Sequence, residues 1–557
     1  MTLFFCCAKE GMPPGGPEDR TPPAVIHTVP RAGALNVPPG DRAVIEFSEP
    51  VRSRSMSDAL YISPYPGEVR LKWRSKRLMI QFPEPFQAGQ TYVITLGTGI
   101  SDYRNNSMDS TFTLAFSTGD RLDVGKISGR YVSDGDARGV DVWAYHLRTG
   151  LVPDPASRPP HYIVQCSEDG RFRFSHLAGG RYRLFVVKDR LKDRLYTPME
   201  DEIGVGYRDA YVSKETGWMD SGLFFRSHRE DTLGPALVQS RALDRRHVAM
   251  QFSESVRPGP GGLIKDFQLT ETLSGDTVPA ALVYVDPANP RLVHLYTDQD
   301  LSKQNYRVFV HHIEDDASNP VDTARNSFEF PGAEAADTTA PVLMAVSPAP
   351  GSRLVPLDPE IRLVFREAMD STGFAGGFSL ADTMQHDVPG KLKWISPAEM
   401  AFIPGQELES LTVYRVFLNG AQITDLAGNA AADTVIQFRT INADTLSEIS
   451  GMIDDPSPSG TGPFVVTAVR IGEQTAGRDV VLRDPGRFLF TELLPGDYVL
   501  EAYRDEDHDS RYSFGVPFPF RPAERFTVYQ DTIHLRARWP NEGNDFQLPL
   551  SSRIHMQ

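Results

Sequence analysis

Residues 21–51 read "TPPAVIHTVPRAGALNVPPGDRAVIEFSEPV", and residues 339–369 read "TAPVLMAVSPAPGSRLVPLDPEIRLVFREAM". The two stretches align without a gap. Pro23 meets Pro341, Pro30 meets Pro348, Gly33 meets Gly351, Phe47 meets Phe365 and Glu49 meets Glu367. Toward their ends Ala43, Ile45 and Phe47 alternate with outward residues, as do Ile361, Leu363 and Phe365. A period of two with one apolar face is a half-buried antiparallel strand, not a helix. This reading decides the fold, because the stretch recurs. A weaker third copy, "LGPALVQSRALDRRHVAMQFSESV" (233–256), keeps Pro235, Phe252 and Glu254 and alternates Val248, Met250 and Phe252.

Each copy also ends alike. The closing loops carry an Asp and an Asn four residues apart: Asp102/Asn106, Asp315/Asn319 and Asp425/Asn429. Both residue types hydrogen-bond nearby backbone amides and tolerate left-handed backbone, so they suit a turn clasp between two final strands. A metal site would need more carboxylates than each loop offers. The acid after the shared Phe (Glu49, Glu254, Glu367) recurs in all three copies, which favours an edge or turn role over that of a general base.

A second repeat lies between these. "GRFRFSHLAGGRYRLFVVKDRLKDRLY" (170–196) aligns gap-free with "GRFLFTELLPGDYVLEAYRDEDHDSRY" (486–512). Both read as strand, tight Gly turn, strand. The order is therefore A, B, A, A, B. The predicted segments are a tether at 1–20, A modules at 21–119, 229–332 (the divergent copy) and 333–441, and B modules at 120–228 and 442–557. Modules of about 100 residues with short alternating strands and regular turn signals predict an all-β chain of five tandem β-sandwiches with little helix.

Bulk composition agrees. A chain of 557 residues is too long for one core. Its 44 prolines and 45 glycines favour turns over long helices. The net charge of −16 argues against nucleic acid and against electrostatic attachment to an anionic membrane surface. With 3 cysteines, disulfide stapling is not the source of stability. Cys166, in an alternating segment, reads as a small core side chain.

The A modules, through "TPP…P..G…V……F.E.V" and "Y……I.D..GN…….F.T", resemble the bacterial Ig-like domain of surface-layer and cell-surface proteins. The B modules, through "G.F.F..L..G.Y.L", resemble the prealbumin-like, carboxypeptidase-regulatory sandwich. With "C…GGP.D.TPP" at the front, the whole chain resembles the Ig-like-domain outer-membrane lipoproteins of the Bacteroidetes. That resemblance implies a non-enzymatic, lipid-anchored envelope protein. In "MTLFFCCAKEGMPPGGPEDRTPP", Cys7 fits the lipidated position, with Cys6 as the small residue before the cut. The run behind it reads as a flexible Pro/Gly-rich tether. Several acyl chains at ~0.8 kcal/mol per buried CH₂ would hold it to lipid permanently. Lys9 and Glu10 resemble a charged signal for export to the cell exterior. "MTLFF" supplies neither a basic n-region nor an apolar core of 7–15 residues, so the expected signal begins upstream of Met1.

Candidate chemistry is sparse. Asp505, Asp507 and Asp509 in "RDEDHDSRY" are spaced like the opening of a calcium loop, but Ser510 and Val516 stand where an EF-type loop has Gly and Glu. The matching loop of the first B module keeps only Asp189 and Asp193. A structural calcium and a solvated acidic turn are both open readings, and no other cofactor is expected. "HHIEDD" (311–316) is the densest acid/imidazole run, but adjacent His residues on a strand point to opposite faces. There is no G-x-S-x-G, H-E-x-x-H or phosphate loop. "YSFGVPFPFRPAERF" (512–526) gathers Tyr512, Phe514, Phe518 and Phe520 among prolines. It is either a loop folded over its sandwich or an exposed platform for a partner. The expected function is a non-catalytic binding or scaffold protein, facing the cell exterior, that contacts envelope proteins such as an outer-membrane β-barrel. The alternative is a glycan-binding or enzyme-accessory surface lipoprotein.

Overall fold

The computed structural model describes residues 19–551, apart from 57–58, 110, 134, 136, 138, 148–151, 259–262, 458–459 and 473–476. Cys6 and Cys7 lie outside the described residues. The chain is nearly all β, and its helices are single turns such as Leu263–Asp266 and Phe374–Gly377. Five separate hydrophobic cores form, within 43–116, 127–225, 237–330, 355–438 and 449–548. Each falls inside one of the five segments that the repeats delimit.

In the first A module a four-stranded sheet runs Val25–Val29, Arg42–Phe47, Arg77–Gln81, Arg70–Arg74, and a three-stranded sheet runs Leu60–Ser63, Thr91–Leu96, Phe112–Ser117. The alternating face of 42–47 turns Ala43, Ile45 and Phe47 inward to complete burial. The third A module repeats this order, with Ile361, Leu363 and Phe365 buried on the strand Ile361–Phe365. Truncating Phe365 to Ala would cost about 3–5 kcal/mol, as for other fully buried aromatics. The shared glycine has a local reason. Gly33 and Gly351 stand at φ 77° and 82°, and each donates its N–H to a carbonyl of the closing strand region at 2.7 Å, Ala115 and Gln437 respectively. A side chain is strained at that φ.

Each B module packs a five-stranded sheet on a three-stranded one. The fingerprint glycines Gly180 and Gly496 start the long strands Gly180–Lys188 and Gly496–Arg504 at φ 148° and 154°. A Cβ there would meet His146 Nε2 at 2.2 Å or Arg470 Nε at 2.6 Å, so no larger residue fits without a shift. In both modules the last strand of the three-stranded sheet pairs in parallel: Met219–Phe225 with Gly125–Tyr131, and Phe546–Gln547 with Ser447–Asp454.

The modules do not form an open string. Tyr61 of the first A module enters a buried cluster with Trp143, Tyr145 and Phe185 of the first B module. Tyr284 and Tyr296 of the second A module pack on Ala368 and Ala398 of the third. The last module returns to the second, so the chain closes on itself.

Candidate functional sites

Closure is made by the aromatic, proline-rich segment of the last module. Phe520 packs on Phe185 with ring centroids 6.5 Å apart, and the Arg183 guanidinium lies 3.5 Å from the Phe520 ring centre. Phe514 meets His228 at 4.6 Å. Arg226 forms an ion pair with Glu501 and lies over the rings of Tyr512 and Phe526. Of the four aromatics read as a partner surface, Tyr512, Phe514 and Phe520 therefore contact their own chain. Phe518 remains 49% exposed. Guanidinium stacked on aromatic faces and screened from water contributes about 1–2 kcal/mol per contact.

The three Asp/Asn loops share one geometry. Asp102, Asp315 and Asp425 are buried, and each accepts the backbone N–H of its Asn at 2.8 Å through Oδ1. Each also accepts the Asn side chain through Oδ2, at 2.8–2.9 Å. The same Asn amide donates to the carbonyl of an acid in the incoming linker: Asn106 to Asp19 at 3.0 Å, Asn319 to Asp231 at 2.9 Å and Asn429 to Asp337 at 3.4 Å. The loop thus fastens the chain at its point of entry to the module.

That arrangement gathers more acid than the loops alone contain. The linker Asp, the Glu after the shared Phe and the loop Asp bring carboxylate oxygens within 4.8 Å of one another at Asp19/Glu49/Asp102, Asp231/Glu254/Asp315 and Asp337/Glu367/Asp425. Three oxygen donors of this kind are a donor set a hard cation can use. The crowding also has a protonic consequence. Burial, then Asp337 and Asp425, push the Glu367 carboxyl up to about 7. Burial and the neighbouring acids raise Glu49 and Glu254 as well. Asp231 and Asp337 escaped the sequence reading, and Asp19 entered it only as the D of "GGP.D.TPP", without a role, although Asp19 and Asp337 stand two residues before the aligned Thr21 and Thr339.

The Asp505–Asp509 loop brings its three carboxylates together. Asp505 Oδ1 accepts the N–H of Asp509 at 3.1 Å, and Oδ2 accepts that of Ser510 at 3.0 Å. Asp507 accepts the Ser513 hydroxyl at 2.6 Å, and Asp509 accepts the N–H of Arg511 at 2.7 Å. In the first B module Asp189 accepts the N–H groups of Lys192 and Arg194, and Asp193 that of Leu195. Both loops cap their own backbone.

Among the described residues, the other reactive side chains singled out in the sequence do not converge. In 311–316 both His side chains are exposed; His312 Nδ1 lies 3.5 Å from the buried Asp266, and Asp315 belongs to the acidic joint. Cys166 is buried, and burial followed by Asp141 and Asp169 pushes its thiol up to about 12. A buried imidazole pair absent from the sequence reading sits beside the joint of the second and third A modules. His247 Nε2 and His294 Nδ1 are 2.7 Å apart, and His294 Nε2 is 3.2 Å from Asp286. Their rings stack on Tyr296 and Tyr284. Burial, then His294, lower His247 to about 3, so the His247 ring is neutral.

The model of the bacterial Ig-like domain matches residues 19–118 and 337–440. Bacterial Ig-like domains repeat in this chain. The matched segments are the first and third A modules, and each includes its linker aspartate. Among curated proteins no sequence matches. Among solved structures, the chain is similar to the N-terminal part of the bacterial S-layer protein SbsC, with 13% identity, 37% of this chain and 44% of that one covered, and a TM-score of 0.17. It thus spans less than half of that structure. Domains 1–6 of the same surface layer protein align at 9% identity over 93% of this chain and 68% of that one, with a TM-score of 0.17. An L,D-transpeptidase from Mycobacterium smegmatis aligns at 11% identity over 38% and 90%, again at 0.17. Likeness at this level carries no statement about activity.

Proposed function

We propose that the chain is a non-catalytic scaffold of the bacterial cell envelope, anchored to the outer membrane through an acylated Cys7 and facing the cell exterior. One observation carries the non-catalytic reading. Among the described residues, the groups best suited to chemistry serve as fastenings: the loop Asp/Asn pairs hold linkers, the imidazole pair lies beside a module joint, and the thiol of Cys166 is buried. No nucleophile, base and oxyanion donor come together there. The closing contact between the two B modules supports a scaffold over a flexible string, because it fixes loops from distant parts of the sequence relative to one another. Those loops would meet other envelope proteins, an outer-membrane β-barrel among them. The tether sequence behind Cys7 supports the anchor.

The test has two arms. Cells fed an alkyne-labelled fatty acid should label the natural protein, and Cys7→Ala should abolish the label while Cys6→Ala should not. Affinity purification from native membranes should retain a stoichiometric envelope protein. Absence of label on Cys7 would overturn the anchor, and purification of the chain alone would overturn the scaffold reading.

A further inference from the structure

A cleft of about 1260 Å³ opens where the first A module, the first B module and the last module meet. One wall is the outer face of the three-stranded sheet of the first B module. It presents Lys126, Arg130, Arg171 and Arg173, with Arg171 opposite Arg130 and Arg173 opposite Ser128 in register. Four cations on one face are unexpected in a chain of net charge −16. Asp169 engages two of them, pairing with Arg171 at 2.9 Å and accepting from Arg130 through its carbonyl at 3.2 Å. Lys126 and Arg173 are exposed and have no ion pair among the described residues. The facing wall, from the first A module, offers the hydroxyls of Thr95, Thr111 and Thr113.

The duplicated module serves as an internal control. Its matching strands pair in the same register, with Met452 opposite Arg487 and Leu489 opposite Ser450. Arg130 is thus replaced by Met452, Arg173 by Leu489 and Lys126 by Glu448. Both sheets keep their inward faces, including Phe172/Phe488 and Phe174/Phe490. The fold therefore does not need the cations. They are present on the copy whose face lines the cleft.

We infer that this cleft binds an anionic polysaccharide. Carboxylate or sulfate groups would face Arg173 and Lys126, whose unpaired guanidinium and ammonium donors match them in charge and geometry, with Arg130 and Arg171 adding positive charge beside them. Sugar hydroxyls would meet the threonine wall. The volume exceeds the roughly 300–1,000 Å³ of a site for one small ligand, which suits a segment of a polymer. A polysaccharide is favoured over an acidic peptide because Thr95, Thr111 and Thr113 offer hydroxyls that pair with sugar hydroxyls. This inference stands on the cleft alone and is independent of the anchor and of the protein partner proposed above.

Binding is measured with the purified full-length chain at low and moderate salt, using polygalacturonate, dextran sulfate, neutral dextran and poly-glutamate. Polygalacturonate or dextran sulfate should bind and weaken with salt, and neutral dextran should not. Lys126→Glu with Arg173→Glu should weaken binding about tenfold or more, through lost attraction plus new repulsion at two sites. Both residues are exposed, so the fold should survive, and an unchanged melting profile checks this. Arg487→Glu on the duplicate module should leave binding unchanged. The inference is overturned if neither anionic glycan binds, if the double variant binds as the native chain does, or if poly-glutamate binds as tightly as the glycans.

Discussion

Replacing Glu367 with Gln should stabilise the third A module at alkaline pH and do nothing in acid. In the fold, burial and the facing Asp337 and Asp425 hold this carboxyl at about 7, against an ordinary 4.5. A carboxyl whose folded value is raised keeps its proton in the fold while the unfolded chain has released it. The destabilising cost is therefore full above pH ~7, shrinks as pH falls toward 4.5 and vanishes below that. At ~1.4 kcal/mol per pH unit the gap converts to about 3 kcal/mol. Part of the carboxyl still meets water, so we take about 2 kcal/mol. Gln keeps the size and loses the charge. For a module of this size 2 kcal/mol corresponds to about 8 °C in the melting of its transition. The assay is calorimetry of the full chain and of E367Q from pH 4.5 to 8.5, with chelator present so that no divalent cation screens the acids. Other groups titrate in both proteins, so the difference isolates Glu367. An E367Q variant that is destabilised at pH 8.5, or a difference that does not change with pH, would refute the crowded-carboxylate account.

Three further outcomes follow from the same geometry. Asn429→Ala removes the bonds to Asp425 and to the Asp337 carbonyl; it should cost about 1–2 kcal/mol and speed hydrogen exchange of the linker amides around 337–341. His247 is held neutral, so its contribution is present above its unfolded value near 6.5 and is lost as pH falls toward about 3; His247→Phe should flatten the acid limb of a stability–pH curve. For the Asp505–Asp509 loop, whose oxygens already cap backbone N–H groups, melting should be the same in excess calcium and in excess chelator, and a calcium-dependent rise would favour a bound ion.

Much of the fold was legible because alternation and repetition are local signals. Phe47 and Phe365 are buried where period two puts them, and Gly180 and Gly496 open the second strand of the strand, turn, strand pattern. What was not legible depends on where modules meet. The acidic joints combine a linker Asp, a strand Glu and a loop Asp from three separate stretches, and each stretch alone offers too few donors. The aromatic run at 512–526 could be seen as unusual, but not that Arg183 and Arg226, some 300 positions earlier, would receive it. The parallel pairing of Met219–Phe225 with Gly125–Tyr131 is a long-range choice that strand periodicity does not encode. The basic wall of the cleft was written in the sequence as "GRFRF" against "GRFLF", yet it acquires meaning only beside the threonines of another module.

The measurement that bears most directly on a closed scaffold is small-angle scattering of a charge-swap series across the two B modules. Arg226→Glu and Glu501→Arg should each loosen the closing contact and raise the radius of gyration, and the double swap should reverse part of the rise, since the ion pair is re-formed with reversed sign while the stacking of Arg226 on Tyr512 and Phe526 is lost. A native chain that already scatters as an extended string, with neither single variant changing it, would contradict the account.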